Sequence, residues 1–70
     1  MTFGEQIKAR RLEVGMTQDQ VAELTGCTVR SIINWEQGKT DIKLVDAARL
    51  VSAIGCYMVI ERGIVKVAPR

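Results

Sequence analysis

Arg30 and Asn34 stand four residues apart in VRSIINWEQ (residues 29–37), where Ile32 and Trp35 recur at helical spacing. With Ile32 turned to a core and each residue advancing about 100°, Arg30, Asn34 and Gln37 emerge on the opposite side. Ile33 lies at the margin of that side, and Val29 projects from the N-terminal end. These types can read base edges: arginine grips O6 and N7 of guanine, asparagine N6 and N7 of adenine, and Val29 or Ile33 can pack on a thymine methyl. Thr28 and Ser31 are short hydroxyl donors suited to phosphates or bases. A β-branched residue such as Ile33 on an outer face needs either burial or a groove to contact.

That chemistry is recognition rather than turnover. The chain has no histidine, no glycine-rich phosphate loop and no nucleophile beside a visible base, so no catalytic residue and no cofactor is expected. Cys27 and Cys56 are far apart in sequence and lack further ligands, so no metal site is expected either.

The flanking residues supply the elements that position this helix. Thr17 and Gln20 form a capping box that starts a helix near Gln18 and runs it to Thr25. Val21 and Leu24 give it an apolar face, and the small Ala22 allows close approach. Gly26 ends it, since glycine adopts the left-handed conformation readily. Thr28 caps the next helix, Val29 to Gln37, and Gly38 ends that one.

Upstream, Thr2 and Glu5 form a second capping box for a helix over Thr2–Val14, stopped at Gly15. Phe3, Ile7 and Val14 are expected to face the core, with Leu12 close to that side. Lys8, Arg10 and Arg11 form a basic stretch; Lys8 and Arg10 suit a solvated face or a phosphate contact equally well. Downstream, Lys39-Thr40-Asp41 is a loop in which Asp41 is a candidate cap. A fourth helix, about Leu44–Ile54, carries Leu44, Ala47, Ala48, Leu50, Val51 and Ile54 before Gly55.

The run from Ile7 to about Gly55 resembles the helix-turn-helix of Cro/CI-type (XRE-like) repressors. The matching residues are Gln18, Val21, Ala22, Gly26, Ile32, Trp35 and the WEQGK run of residues 35–39. The resemblance implies a mainly α fold, a four-helix lambda-repressor-like DNA-binding domain over residues 1–55. It implies that Gln18 meets a DNA phosphate with help from its helix N-terminus, and that Lys39 contacts the backbone from the loop. It also pairs Arg11 with Glu36, making Arg11 a structural tie between helices rather than a DNA ligand. The expected base readers are thus Val29, Arg30, Ile33 and Asn34. The expected backbone contacts are Gln18, Thr28, Ser31, Gln37, Lys39 and Lys8.

Residues 56–70 depart from the five-helix pattern. CYMVIERGIVKV is β-branched with period two, and Arg62-Gly63 suits a two-residue turn. Glu61 would then pair with Ile64, Ile60 with Val65, Val59 with Lys66 and Met58 with Val67. Met58, Ile60, Val65 and Val67 would share one apolar face. A lone hairpin is marginal in water, so it must pack on helix 4 or pair with a second copy. The preferred reading makes it the homodimer element, through Tyr57, Met58, Val59, Ile60, Ile64, Val65 and Val67. Helix-turn-helix dimers set two reading helices about 34 Å apart on DNA. A β segment after four helices is similar to HipB-type antitoxins, which implies an alternative: an interaction module that binds a larger partner such as a kinase-like toxin.

Composition sets the bounds. Seventy residues, 47% apolar but only 4% aromatic, make one small domain with an aliphatic core. A net charge of +2 permits phosphate contact without demanding it. No apolar run approaches the roughly 20 residues of a membrane span and no signal peptide is visible, so the expected location is cytoplasmic, at the nucleoid, with double-stranded DNA as the partner.

Overall fold

The caps written into the sequence set the helix boundaries. The computed structural model describes residues 1–70 as α1 (Phe3–Glu13), α2 (Gln18–Thr25), α3 (Val29–Gln37) and α4 (Leu44–Ala53), then β1 (Cys56–Glu61) and β2 (Ile64–Pro69). Thr2 and Glu5 close the first capping box, and Thr17 and Gln20 the second, each satisfying two orphan N–H groups. The hydrogen bond from the Thr2 backbone holds the Glu5 carboxyl below the usual carboxylate range. Gly26 and Gly38 end α2 and α3 at φ of 72° and 71°, where any side chain would be strained. Asp41 does not cap α4. Lys43 occupies the N-cap and makes no side-chain cap bond, leaving Asp41 exposed in the loop.

Ile7, Val21, Ala22, Ile32, Leu50, Val51, Ile54 and Cys56 form the buried core, with Phe3, Met16, Trp35 and Ile42 packed around it. Three residues expected inward lie outside: Leu12, Val14 and Leu24 are all exposed. On α1 the buried line is Gly4, Ile7 and Arg11, at i, i+3 and i+7. Leu12 is turned about 100° off it, and Val14 is already the cap. On α2 the buried arc runs through Val21, Thr25 and Ala22, and Leu24 falls beyond its edge. Thr25 tolerates burial because its hydroxyl donates to the Val21 carbonyl at 2.8 Å.

The tail is an antiparallel hairpin in the expected register, from Glu61 opposite Ile64 to Met58 opposite Val67, and on to Cys56 opposite Pro69. Arg62 and Gly63 both have positive φ, 52° and 78°, the signature of a type I′ turn matched to strand twist. The hairpin docks on its own chain. Met58 and Val67 reach the core. The Val67 N–H donates to Gln6 Oε1 at 2.8 Å, Gln6 Nε2 donates to the Val65 carbonyl at 3.4 Å, and the Arg70 N–H donates to the Gly55 carbonyl at 3.1 Å. Ile60 stays 57% exposed although it shares the apolar face. No helix is long and apolar enough to cross a membrane.

The crossing of α1 and α3 is unusually close. A Cβ on Gly4 would overlap the Trp35 carbonyl oxygen and lie 2.8 Å from that of Glu36. Backbone meets backbone there, and neither side can yield cheaply. Gly4→Ala is expected to destabilise the domain by about 1–3 kcal/mol despite alanine's better helix propensity. The measurement is the urea midpoint at constant m-value; an unchanged or raised midpoint means that the two backbones do not meet at Gly4.

Candidate nucleic-acid interface

The roll of α3 about its own axis is set by two inward side chains four residues apart. Ile32 is wholly buried in the core, and Glu36 is 6% exposed. A carboxylate at that depth needs partners, and it has them. Arg11 approaches in fork geometry, Nε to Oε2 at 2.7 Å and Nη2 to Oε1 at 3.0 Å. Arg11 Nη1 donates to the Met16 carbonyl at 3.0 Å, and Gln18 Nε2 donates to Glu36 Oε1 at 3.1 Å. No buried side-chain nitrogen or oxygen is left without a partner. The bidentate pair bonds α1 to α3, and Gln18 brings the start of α2 into the same cluster.

With Ile32 and Glu36 held inward, the opposite side of α3 must face out. Arg30 and Gln37 are exposed, and Ile33 and Asn34 are half-buried. Arg30 forms no ion pair, and neither do the exposed Lys8 and Lys39. Their charge is therefore free for an anionic partner. Lys39 is placed by its own backbone, whose N–H donates to the Asn34 carbonyl at 2.9 Å across the Gly38 cap. The loop cation is thus joined to the end of α3 through the backbone.

The Thr28 hydroxyl accepts the Ser31 N–H at 3.1 Å as the cap and donates to Ser31 Oγ at 3.0 Å. Its only proton is engaged, whereas the Ser31 hydroxyl proton remains free to point outward. Gln18 keeps one amide hydrogen and its carbonyl oxygen beyond its bond to Glu36. The backbone N–H groups of Gln18 and Asp19 at the same helix end have no partner within the chain.

One expectation needs correction, and one open alternative gains a structural partner. Val29 does not project free from the helix start; it is half-buried against the core cluster. Arg10 is no candidate for phosphate. Its Nε donates to the Ile54 carbonyl at 3.3 Å and its guanidinium pairs with Glu13, so it serves the C-terminal end of α4, where a cation suits the helix dipole.

Sequence reasoning passed over Gly4, whose missing side chain lets α3 settle against α1. A glycine inside the first turn of a helix costs roughly 1 kcal/mol relative to alanine, and that cost was a legible signal of close approach. Gln6 was passed over as well; its amide bonds the tail from the same helix.

Comparison with known proteins gives the family and the fold. A family model described as helix-turn-helix matches residues 7–59, which span most of α1 and all of α2, α3 and α4 and run into β1. The chain is 39% identical over 49 residues to an uncharacterized HTH-type transcriptional regulator of Methanothermobacter thermautotrophicus, covering 70% of this chain and 71% of that one. Among solved structures it is similar to the restriction-modification controller protein C.AhdI from Aeromonas hydrophila. That match has a TM-score of 0.72 at 27% identity and covers 74% of this chain and 79% of the other.

The cluster around Glu36 yields a test of whether Arg11 is structural. Arg11→Met or Glu36→Leu alone strands a buried charge and is expected to cost about 3–5 kcal/mol, a large share of a small domain's stability. Replacing both together, Arg11→Met with Glu36→Leu, is expected to recover most of that loss. Chemical denaturation of the four proteins closes the cycle. Single changes costing under about 1 kcal/mol would mean a solvated surface pair with no hold on α3.

Proposed function

The chain belongs to the helix-turn-helix family of DNA-binding transcriptional regulators, and from that premise we propose that it binds an inverted-repeat operator as a homodimer and represses by occupying promoter DNA. The observation that carries the reading is the outer side of α3, where Arg30 is exposed and unpaired and Asn34 follows one turn later, while Ile32 and Glu36 forbid the helix to roll. In this reading α3 enters the major groove. Arg30 takes a guanine, Asn34 an adenine, and Ile33 the methyl of a thymine. The half-burial of Ile33 without contact to the core cluster suits a residue that rests on bases. Val29 supports the helix from the core side and reads nothing.

Ser31, Gln37, Lys39, Lys8 and Gln18 contact phosphates and set the register. The free N–H groups at the start of α2 add an anion-binding helix end beside Gln18. Gln18 then acts in two ways, holding Glu36 from one side of its amide and a phosphate from the other. Thr28 contributes as the cap that orients Ser31. A single head of this size spans only a few base pairs, so two copies about 34 Å apart give the length that selectivity in a genome requires. The tail, residues 56–70, supplies the dimer contact. The site of action is chromosomal DNA in the cytoplasm.

Selection from a random double-stranded DNA pool at near-physiological salt is expected to enrich an inverted repeat with half-sites one helical turn apart. On that operator, Arg30→Ala and Asn34→Ala are each expected to lose about 1–3 kcal/mol of binding and to relax preference at one position. Lys8→Ala and Lys39→Ala are expected to weaken all sequences alike and to reduce the salt slope by about one each. If all four variants lose affinity uniformly, α3 does not read bases. If no sequence is enriched, the chain is no operator-binding regulator.

A further inference from the structure

The two edges of the hairpin are not equivalent. The Val67 N–H, a single donor, is given to Gln6, and the Val65 carbonyl also faces the Gln6 amide. Backbone groups of a strand alternate sides with period two, so Val65 and Val67 turn their polar groups away from β1. Their partners Ile60 and Met58 must then turn theirs away from β2. No side chain or backbone group outside the hairpin bonds to Met58 or Ile60. The outer edge of β2 is thus covered by Gln6 and ends at Pro69, which has no N–H to offer. The outer edge of β1 presents two N–H groups and two carbonyls with no partner.

Proteins usually block such an edge with charge, proline or a bulge. β1 reads CYMVIE, with one charge, at its end, and no proline. Its order is also self-complementary. Placed antiparallel to itself about Val59, Met58 lies opposite Ile60 of a second copy and can exchange both backbone hydrogen bonds with it. The symmetric pair does the same, giving four bonds in all. Val59 faces Val59 in the position without bonds, where side chains approach most closely. Glu61 falls opposite Tyr57, whose hydroxyl can donate to the carboxylate, so no like charges meet. This arrangement also covers Ile60, left 57% exposed, and Tyr57, left 47% exposed.

We infer that β1 pairs edge to edge with β1 of a second copy, making one four-stranded antiparallel sheet, and that Gln6 limits the assembly to two chains by occupying the remaining edge. The inference rests on the homodimer proposed above and names its contact. Without Gln6 the outer strands of the joined sheet would present their own open edges, and pairing could continue beyond two copies.

The test uses the whole chain. Light scattering gives the mass, and hydrogen exchange resolved by residue gives the protection of each amide. Wild-type protein is expected at twice the mass of one chain, with the Met58 and Ile60 amides protected at high concentration and released on dilution. Ile60→Pro removes an outward N–H and leaves the β1–β2 ladder intact; it is expected to run at the mass of one chain with an unchanged far-ultraviolet spectrum. Gln6→Ala is expected to exceed the dimer mass.

A dimer whose Met58 and Ile60 amides exchange freely, or an Ile60→Pro protein that stays dimeric, overturns the β1 contact while leaving the dimer in place. A Gln6→Ala protein that remains a dimer overturns the role given to Gln6. A wild-type chain at the mass of one chain at every concentration, even with operator DNA present, overturns the homodimer itself.

Discussion

A carboxylate buried at Glu36 must be met by a cation with its own hydrogen bonds satisfied, and much of the molecule follows from that requirement. Arg11 meets it in fork geometry, Met16 takes the remaining nitrogen, and Gln18 covers the second side of one carboxylate oxygen. Three helices thereby share one polar cluster inside an aliphatic core. Apolar packing holds Ile32 inward but is non-directional, so on its own it would leave α3 more freedom to rock. Directional bonds to both oxygens remove that freedom. An ion pair at this depth is weak evidence for net stability; its value here is geometric, since it decides which side of α3 can face a partner.

α1 is the hub through which the other elements are positioned. Gly4 lets α3 approach to backbone contact, Ile7 enters the core, Arg11 clamps Glu36, Arg10 serves the last turn of α4, and Gln6 bonds the edge of β2. Successive sides of one short helix therefore address α3, α4 and the tail. A change in how α1 sits would be felt both at the outer side of α3 and at the hairpin. That connection bears on the proposed dimer, because two helix-turn-helix heads can be spaced correctly on DNA only if each is fixed relative to the contact that joins them.

Local chemistry made the element boundaries legible. Capping boxes at Thr2 and Thr17, a threonine cap at Thr28 and left-handed glycines at Gly26 and Gly38 all act within a few residues of where they stand, so α2 and α3 have the bounds read from the sequence. The hairpin register was legible for the same reason, since a turn with positive φ at Arg62 and Gly63 leaves period two a single alignment. The outward position of Arg30 and Gln37 followed from helical angle once Ile32 was placed inward.

What one dimension could not decide was which residues of a helix lie inside when the inside is not wholly apolar. Leu12, Val14 and Leu24 were expected on or near the inner side because they are hydrophobic, yet it is Arg11, Thr25 and, on α3, Glu36 that are buried. The energy of burying a charge depends on a partner 25 residues away in the chain, and no local pattern contains that distance. Arg10, Val29 and Asp41 found their places for a related cause: a side chain's role depends on what its neighbours offer it, an open carbonyl at Ile54, the apolar core cluster, or nothing. The sequence by itself determined the elements, their ends and the pairing of the tail, because those rest on interactions a few residues long. The Arg11–Glu36 pair was expected only through the family resemblance; only the tertiary structure decided how deeply it is buried, which cations are free and which strand edge stays open, because each depends on groups that the chain brings together from far apart.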